Sequence, residues 1–393
     1  MKRTPLELAA IATAAVPGLQ PTAVAASPDD ATDFDAALLE TADGRAWRIR
    51  CPRGTEASAR LETEMTVLRA FDPAVRAELP FQMPAVAGTV RMDGLTTCVY
   101  TNLTGAVRDL DSLASGSDRL AREIGTTLAA IHGLPQELVD SADLPSYTAN
   151  GFRQRRLNEL DQAATTGKIP AVLLRRWEQA MEDVTLWRFN PTVVHGDLHE
   201  DNLLIDDDRV TAVTGWTDLR IGDPADDIAW LVGSNEPRFI DAVLAAYHEA
   251  RKEPVDPQLA RRAALAAEFA LAQYLVKALA LDDREVARDA EAMLAELAAD
   301  IEASEAADAA ESAAVPLRDG GSGDALTAPD SDVPAPRAPA PTGQDSDGRA
   351  PEGRAPEGRA PEERRPAAEG ARAVDPAPAT DAIPLITDGR GEG

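Results

Sequence analysis

The run from Val193 to Ile205 reads Val-Val-His-Gly-Asp-Leu-His-Glu-Asp-Asn-Leu-Leu-Ile. Two apolar segments, Val193-Val194 and Leu203 to Ile205, enclose a polar loop in which His195, Asp197 and Asn202 stand at fixed spacing. A carboxylate at a loop apex accepts or orients a hydroxyl proton, and an amide oxygen five residues later can turn back onto a metal ion. Such a pair serves the transfer of a phosphoryl group to a hydroxyl, a reaction that depends on positioning and charge stabilisation.

The order His-x-Asp-Leu-x-x-x-Asn is that of the protein-kinase catalytic loop, with Gly196 where kinases carry Arg. The His-Gly-Asp-Leu-His form with the following Asn resembles the aminoglycoside and macrolide phosphotransferases, kinase-like enzymes that phosphorylate hydroxyls of small molecules. The resemblance covers roughly residues 4 to 303 and implies an α+β fold of two lobes, a small β-rich N-lobe (1–103) and a larger helical C-lobe (104–308) that carries the catalytic loop. It assigns Asp197 as the base and Asn202 as a metal ligand, and makes His132, His195 and His199 structural.

Kinases place a Lys on the phosphates, but no Lys occurs between Lys2 and Lys168. Trp47 to Pro52 is similar to a Trp-x-x-Arg-x-Pro pattern of macrolide phosphotransferases, which puts Arg50 in that role; Arg binds phosphate through bidentate contacts. Its helix partner is Glu64, with Glu62 as the alternative. Tyr100-Thr101-Asn102 falls at the hinge, so Tyr100 and Asn102 join the nucleotide-contacting set. Two departures stand out. No glycine-rich loop precedes Arg50, and the turn that would cover the phosphates, Ser27 to Asp33, holds three acids expected to repel them. In Val-Thr-Gly-Trp-Thr-Asp-Leu-Arg-Ile-Gly-Asp-Pro (213–224), Gly215 stands where the family has its second metal-binding Asp. Glycine offers no side-chain oxygen, so Asp218 is the substitute metal ligand. Asp223 and Asp227 are expected to anchor the loop, and Asp223-Pro224 to cap a helix with Asp226 in its first turn.

Two functions follow. One is an enzyme moving the γ-phosphate of ATP or GTP, with Mg²⁺, to a hydroxyl of a small molecule such as an antibiotic. The other is a catalytically degenerate protein of the same fold that binds a nucleotide or another ligand.

The elements that must hold these residues are legible in patterning. Thr4, Pro5 and Glu7 form the start of a helix over 4–16 with a capping box. Short strands are predicted at 22–25, 34–40, 46–51, 85–91 and 96–100, with a helix near 57–71. In the third strand Trp47, Ile49 and Cys51 share one face and Arg48 and Arg50 the other. Beyond the hinge, helical spacing links Leu120, Ile124, Leu128 and Ile131, then Leu174, Trp177, Met181 and Val184. A hairpin follows the catalytic loop, and two more helices are striped by Leu265, Phe269, Ala272, Val276 and Leu279, and by Val286, Met293, Leu297 and Ile301.

The 393 residues include 67 acids and 39 bases, a formal net charge of −28. That balance argues against nucleic acid or an anionic membrane as partner. No stretch reads as long and apolar enough to span a bilayer. The N-terminus mimics a signal peptide, but Glu7 breaks its apolar run and the helix reading is preferred. The only cysteines, Cys51 and Cys98, fit a reduced, cytoplasmic protein. From about Ala309 aromatics vanish and Gly-Arg-Ala-Pro-Glu recurs between Gly348 and Glu362. Such a segment cannot offset its ordering entropy by burial, so 309–393 is expected to be a disordered tail, solvated or binding a protein partner.

Overall fold

The computed structural model describes residues 2–314 apart from 28, 30 and 31. The N-lobe begins with α1 (Pro5–Ala15) and continues through β1 (Pro21–Ala26), β2 (Phe34–Thr41), β3 (Ala46–Pro52), α2 (Thr55–Ala70), α3 (Pro73–Glu78), β4 (Val86–Met92) and β5 (Leu95–Thr101). The strands form one antiparallel sheet in the order β1-β2-β3-β5-β4. Thr4 caps α1 and exchanges both capping-box hydrogen bonds with Glu7. The strand alternation then sorts side chains to two faces. Ile49 and Cys51 pack with Leu39, Val99, Leu8 and Ala12 under α1, and Cys98 and Tyr100 pack with Leu61 and Met65 of α2. The sheet is therefore covered by a helix on each face, α1 and α2, both foreseen in the sequence. Both cysteines are buried and free.

The C-lobe comprises α4 (Leu110–Ala114), α5 (Asp118–His132), α6 (Glu137–Ser141), α7 (Ala149–Thr165) and α8 (Ala171–Glu182). These are followed by β6 (Thr192–Val194), β7 (Leu203–Asp206), β8 (Arg209–Val213), β9 (Arg220–Gly222), α9 (Pro237–Ala250), α10 (Leu259–Ala280) and α11 (Arg284–Ala314). One core joins α5 and α9 to the catalytic hairpins and continues into α2. A second lies among α7, α8, α10 and α11.

Several expectations are corrected. No α-helix starts at Asp223-Pro224; turns lead to a 3₁₀ segment, Ala229–Ser234, because Asp223 and Asp226 bind arginines. Val184 lies beyond α8 and is exposed. On α10 the buried stripe runs through Leu265, Phe269, Ala272, Leu275 and Ala278, leaving Leu279 exposed. By length and composition α10 is apolar enough to cross a membrane, against the sequence reading. It carries buried Arg262 and Glu268, and Arg262 pairs with Asp223 at 2.7 Å, as a core helix does. Helix α11 runs past the expected boundary at 309. The predicted disordered tail beyond Ala314 lies outside the described residues.

Candidate active site

The catalytic loop is slung between two hairpins. Strand β6 pairs with β9, placing Val194 opposite Arg220, and β7 pairs with β8. The β7–β8 turn, Asp207-Asp208, has positive φ at both positions, as a tight two-residue hairpin requires. Asp227, fully buried, binds the loop from below. It accepts from the backbone N–H of His195 at 2.7 Å and of Gly196 at 2.8 Å, and its Oδ2 lies 3.1 Å from Nε2 of His132. Burial alone would raise its pKa, but the hydrogen bond and charge of His132, with the Gly196 amide, bring it below the usual carboxylate range. His195 places Nε2 2.8 Å from the carbonyl of Thr214, and burial pushes its pKa down to about 4, so the ring is neutral.

Gly196 has φ +89, and a Cβ there would lie 2.1 Å from Nη1 of Arg220. That guanidinium occupies the space instead. It donates to the carbonyls of Gly196 (3.2 Å) and Asp218 (3.1 Å) and to the Asp226 carboxylate (2.7 Å), which Arg156 of α7 also binds at 2.7 Å. Arg220 thus sews the catalytic loop to the 215–218 loop.

Asn202 Nδ2 donates to the Asp197 carbonyl at 2.7 Å, and its Oδ1 lies 3.4 Å from the Thr214 hydroxyl. Desolvation, followed by the charge of Asp218, pushes the Asp197 carboxyl up to about 8. Burial raises Asp218 as well, opposed by Arg220, Arg155 and Arg60. Burial therefore acts on both acids, and the charge of Asp218 reaches Asp197. Gly215 has φ +78, and a Cβ on it would meet Asn202 Oδ1 at 2.4 Å. The amide of Asn202 thus fills the place of a side chain at 215.

Across the cleft, Arg50 reaches Glu64 of α2 at 3.4 Å, and the Tyr100 hydroxyl donates to Glu64 at 2.9 Å. Tyr100 is buried and acts on the cleft through Glu64. Glu62 instead accepts from the Thr96 hydroxyl at 2.5 Å. Arg50 also makes a bidentate pair with Asp29, Nε at 2.8 Å and Nη2 at 3.1 Å, and Arg48 lies 3.3 Å from the same carboxylate. The acid expected to repel phosphate is thus seated on the arginine expected to bind it. Asn102 is exposed; its N–H donates to Ala46. With Thr101 and Leu103 it lines a groove of about 740 Å³ that runs to Arg76, Gln82 and the β7–β8 turn. Among the described residues no group of three or more His, Cys, Asp and Glu is arranged to hold a metal.

Sequence reasoning missed Arg60 of α2 and Arg220. For Arg60 a signal existed: it stands four residues before Glu64, on the same helix face. For Arg220 there was none, because only the β6–β9 pairing brings it to Gly196.

Residues 26–265 match the profile of the phosphotransferase enzyme family. The chain belongs to this family. It is 28% identical over 254 residues to the viomycin phosphotransferase of Streptomyces vinaceus, covering 61% of this chain and 84% of that protein. It is 24% identical over 200 residues to the uncharacterized protein YcbJ of Bacillus subtilis (strain 168), covering 50% of this chain and 65% of that one. Its fold is that of the macrolide 2'-phosphotransferase of Brachybacterium faecium, with a TM-score of 0.62 at 24% identity over 74% of this chain and 98% of the other. The two-lobed, kinase-like architecture expected from the catalytic loop is the architecture found.

Proposed function

We propose that the chain transfers the γ-phosphate of ATP or GTP to a hydroxyl of a small molecule, an antibiotic being the class suggested by its relatives. The observation that carries this reading is the locked loop. Asp227 and Asn202 fix the backbone around Asp197, leaving its carboxyl at the apex with a raised pKa suited to taking a hydroxyl proton. In this reading Asp197 orients the acceptor and receives its proton, and Arg50 neutralises donor phosphates while Glu64, held by Tyr100, positions Arg50. Asn102 belongs to the hinge against which the base of the nucleotide lies. The Asn202 amide oxygen and the Asp218 carboxylate are hard oxygen donors of the kind Mg²⁺ takes, and the crowding of Asp197 and Asp218 is what a cation relieves. Mg²⁺ bound there supplies charge neutralisation at the transferring phosphate. We assign 1–103 to the N-lobe and 104–308 to the C-lobe, in a cytoplasmic protein.

The second reading, a non-catalytic binding protein, draws on Gly215, where the space for a metal-binding carboxylate is filled by Asn202. The test is transfer of labelled γ-phosphate from ATP and GTP, with Mg²⁺, to a panel of hydroxylated compounds. Transfer supports the enzyme; nucleotide binding without transfer to any compound supports the binding protein.

A further inference from the structure

Arg50 and Arg60 arrive at the cleft from different elements, β3 and α2, yet share one shelf. The guanidinium carbon of Arg50 lies 4.2 Å from the centre of the Phe34 ring and that of Arg60 lies 5.6 Å from it. Each carries an acid from the segment that joins β1 to β2: Asp29 sits bidentately on Arg50, and Asp33 pairs with Nη2 of Arg60. A planar pair of oxygens on a guanidinium is the arrangement by which Arg holds phosphate as well as carboxylate. Helix α2 packs against the 216–218 turn, close enough for the charge of Arg60 to reach Asp218 and Asp197. That charge opposes the raised pKa of both.

We infer that Arg60 and Arg50 together form a paired-guanidinium site for the polyphosphate of the donor, the Asp33 and Asp29 carboxylates standing where phosphate oxygens bind. The inference rests on the phosphotransferase reading and deepens it. Arg50 takes the phosphates nearer the hinge, and Arg60 takes the terminal phosphate beside Asp197. Two fixed cations do in this chain part of what a glycine-rich loop and a second metal carboxylate would do. Phosphate binding therefore does not require Mg²⁺.

The test is calorimetric titration of the full-length protein with inorganic tripolyphosphate, ATP and GTP, each with and without Mg²⁺. Wild type is expected to bind tripolyphosphate without Mg²⁺. Arg60→Gln is expected to lose about ten- to a hundredfold in affinity, the scale of a lost charged hydrogen bond. Arg60→Lys should recover part of it, keeping the charge without the fork. Asp33→Asn should bind more tightly than wild type, which a misfolded variant cannot do. Unchanged tripolyphosphate affinity in both Arg60→Gln and Asp33→Asn overturns the inference. If those variants also transfer phosphate from ATP or GTP, the phosphotransferase reading survives. Arg60-dependent tripolyphosphate binding with no transfer to any hydroxyl upholds the site and sinks that reading. A wild type that binds neither tripolyphosphate nor nucleotide overturns both.

Discussion

On the N-lobe wall of the cleft, Arg50 holds Asp29 and Glu64, and Arg60 holds Asp33. On the C-lobe wall, Asp227 and Arg220 hold several partners each, but burial raises the pKa of both Asp197 and Asp218, and the charge of Asp218 raises that of Asp197 further. One wall has cations already paired with carboxylates. The other has carboxylates that gain from a cation or a proton. Under the proposed function, this placement of charge suits a polyanionic donor on one side and a proton-releasing acceptor on the other.

The sharpest break of this contrast is Asp197→Ala. Turnover should fall by about 10²- to 10⁴-fold, the usual contribution of a positioned base. Nucleotide affinity and melting temperature should stay near wild type; kinetics, calorimetry and a thermal melt read the three together, and full activity removes Asp197 from the chemistry. Asp227→Ala attacks the support instead of the apex. It strips the buried His195 amide, the half-buried Gly196 amide and His132 of their partner, and urea unfolding should show a loss of about 3–5 kcal/mol, as for a broken buried pair. A loss under about 1 kcal/mol would mean that the loop holds without its anchor.

On the opposite wall, Arg50→Ala should weaken nucleotide binding by about tenfold or more, and Arg48→Ala should do much less. Arg48 lies 3.3 Å from Asp29, whereas Arg50 grips it bidentately and also reaches Glu64. Equal effects would dissolve the distinction between them. Gly215→Asp, which supplies the carboxylate that the resemblance leads one to expect at this place, should not create Mg²⁺ dependence. A side chain at φ +78 costs about 1–3 kcal/mol and must push Asn202 aside. Gained Mg²⁺-dependent affinity with unchanged stability would refute this.

The smallest effect is in pH. The base acts as its carboxylate, so kcat/KM should rise with pH and level off near the Asp197 value of about 8. Asp218→Asn removes a like charge, favours the ionised form and should move that limb to lower pH. A limb that stays in place would show that desolvation alone sets it.

Much of the fold was legible because it depends on local chemistry. The capping box of α1 needs only Thr4 and Glu7, and the alternation in β3 needs only the pleat of a strand. The catalytic loop was readable because two short apolar strands and a polar run between them constrain one another over a dozen residues. Helix α7 was missed because it buries only Phe152, Leu160 and Ala163 and presents polar residues elsewhere, so its period is faint. The site's charge partners were beyond the sequence. That Ser27 to Asp33 is acidic is plain from composition; that Asp29 and Asp33 sit on Arg50 and Arg60 follows from the β2–β3 register and the placement of α2. The sequence by itself determined which residues can carry charge and which element each rides on. Only the tertiary structure decided which charges meet, because an ion pair depends on a distance of a few ångströms between segments whose separation along the chain says nothing about it. The same holds for the two glycines. At 196 and 215 the residue type is written in the sequence, but Arg220 and Asn202, which fill the space a side chain would take, are set there by the packing of the two hairpins.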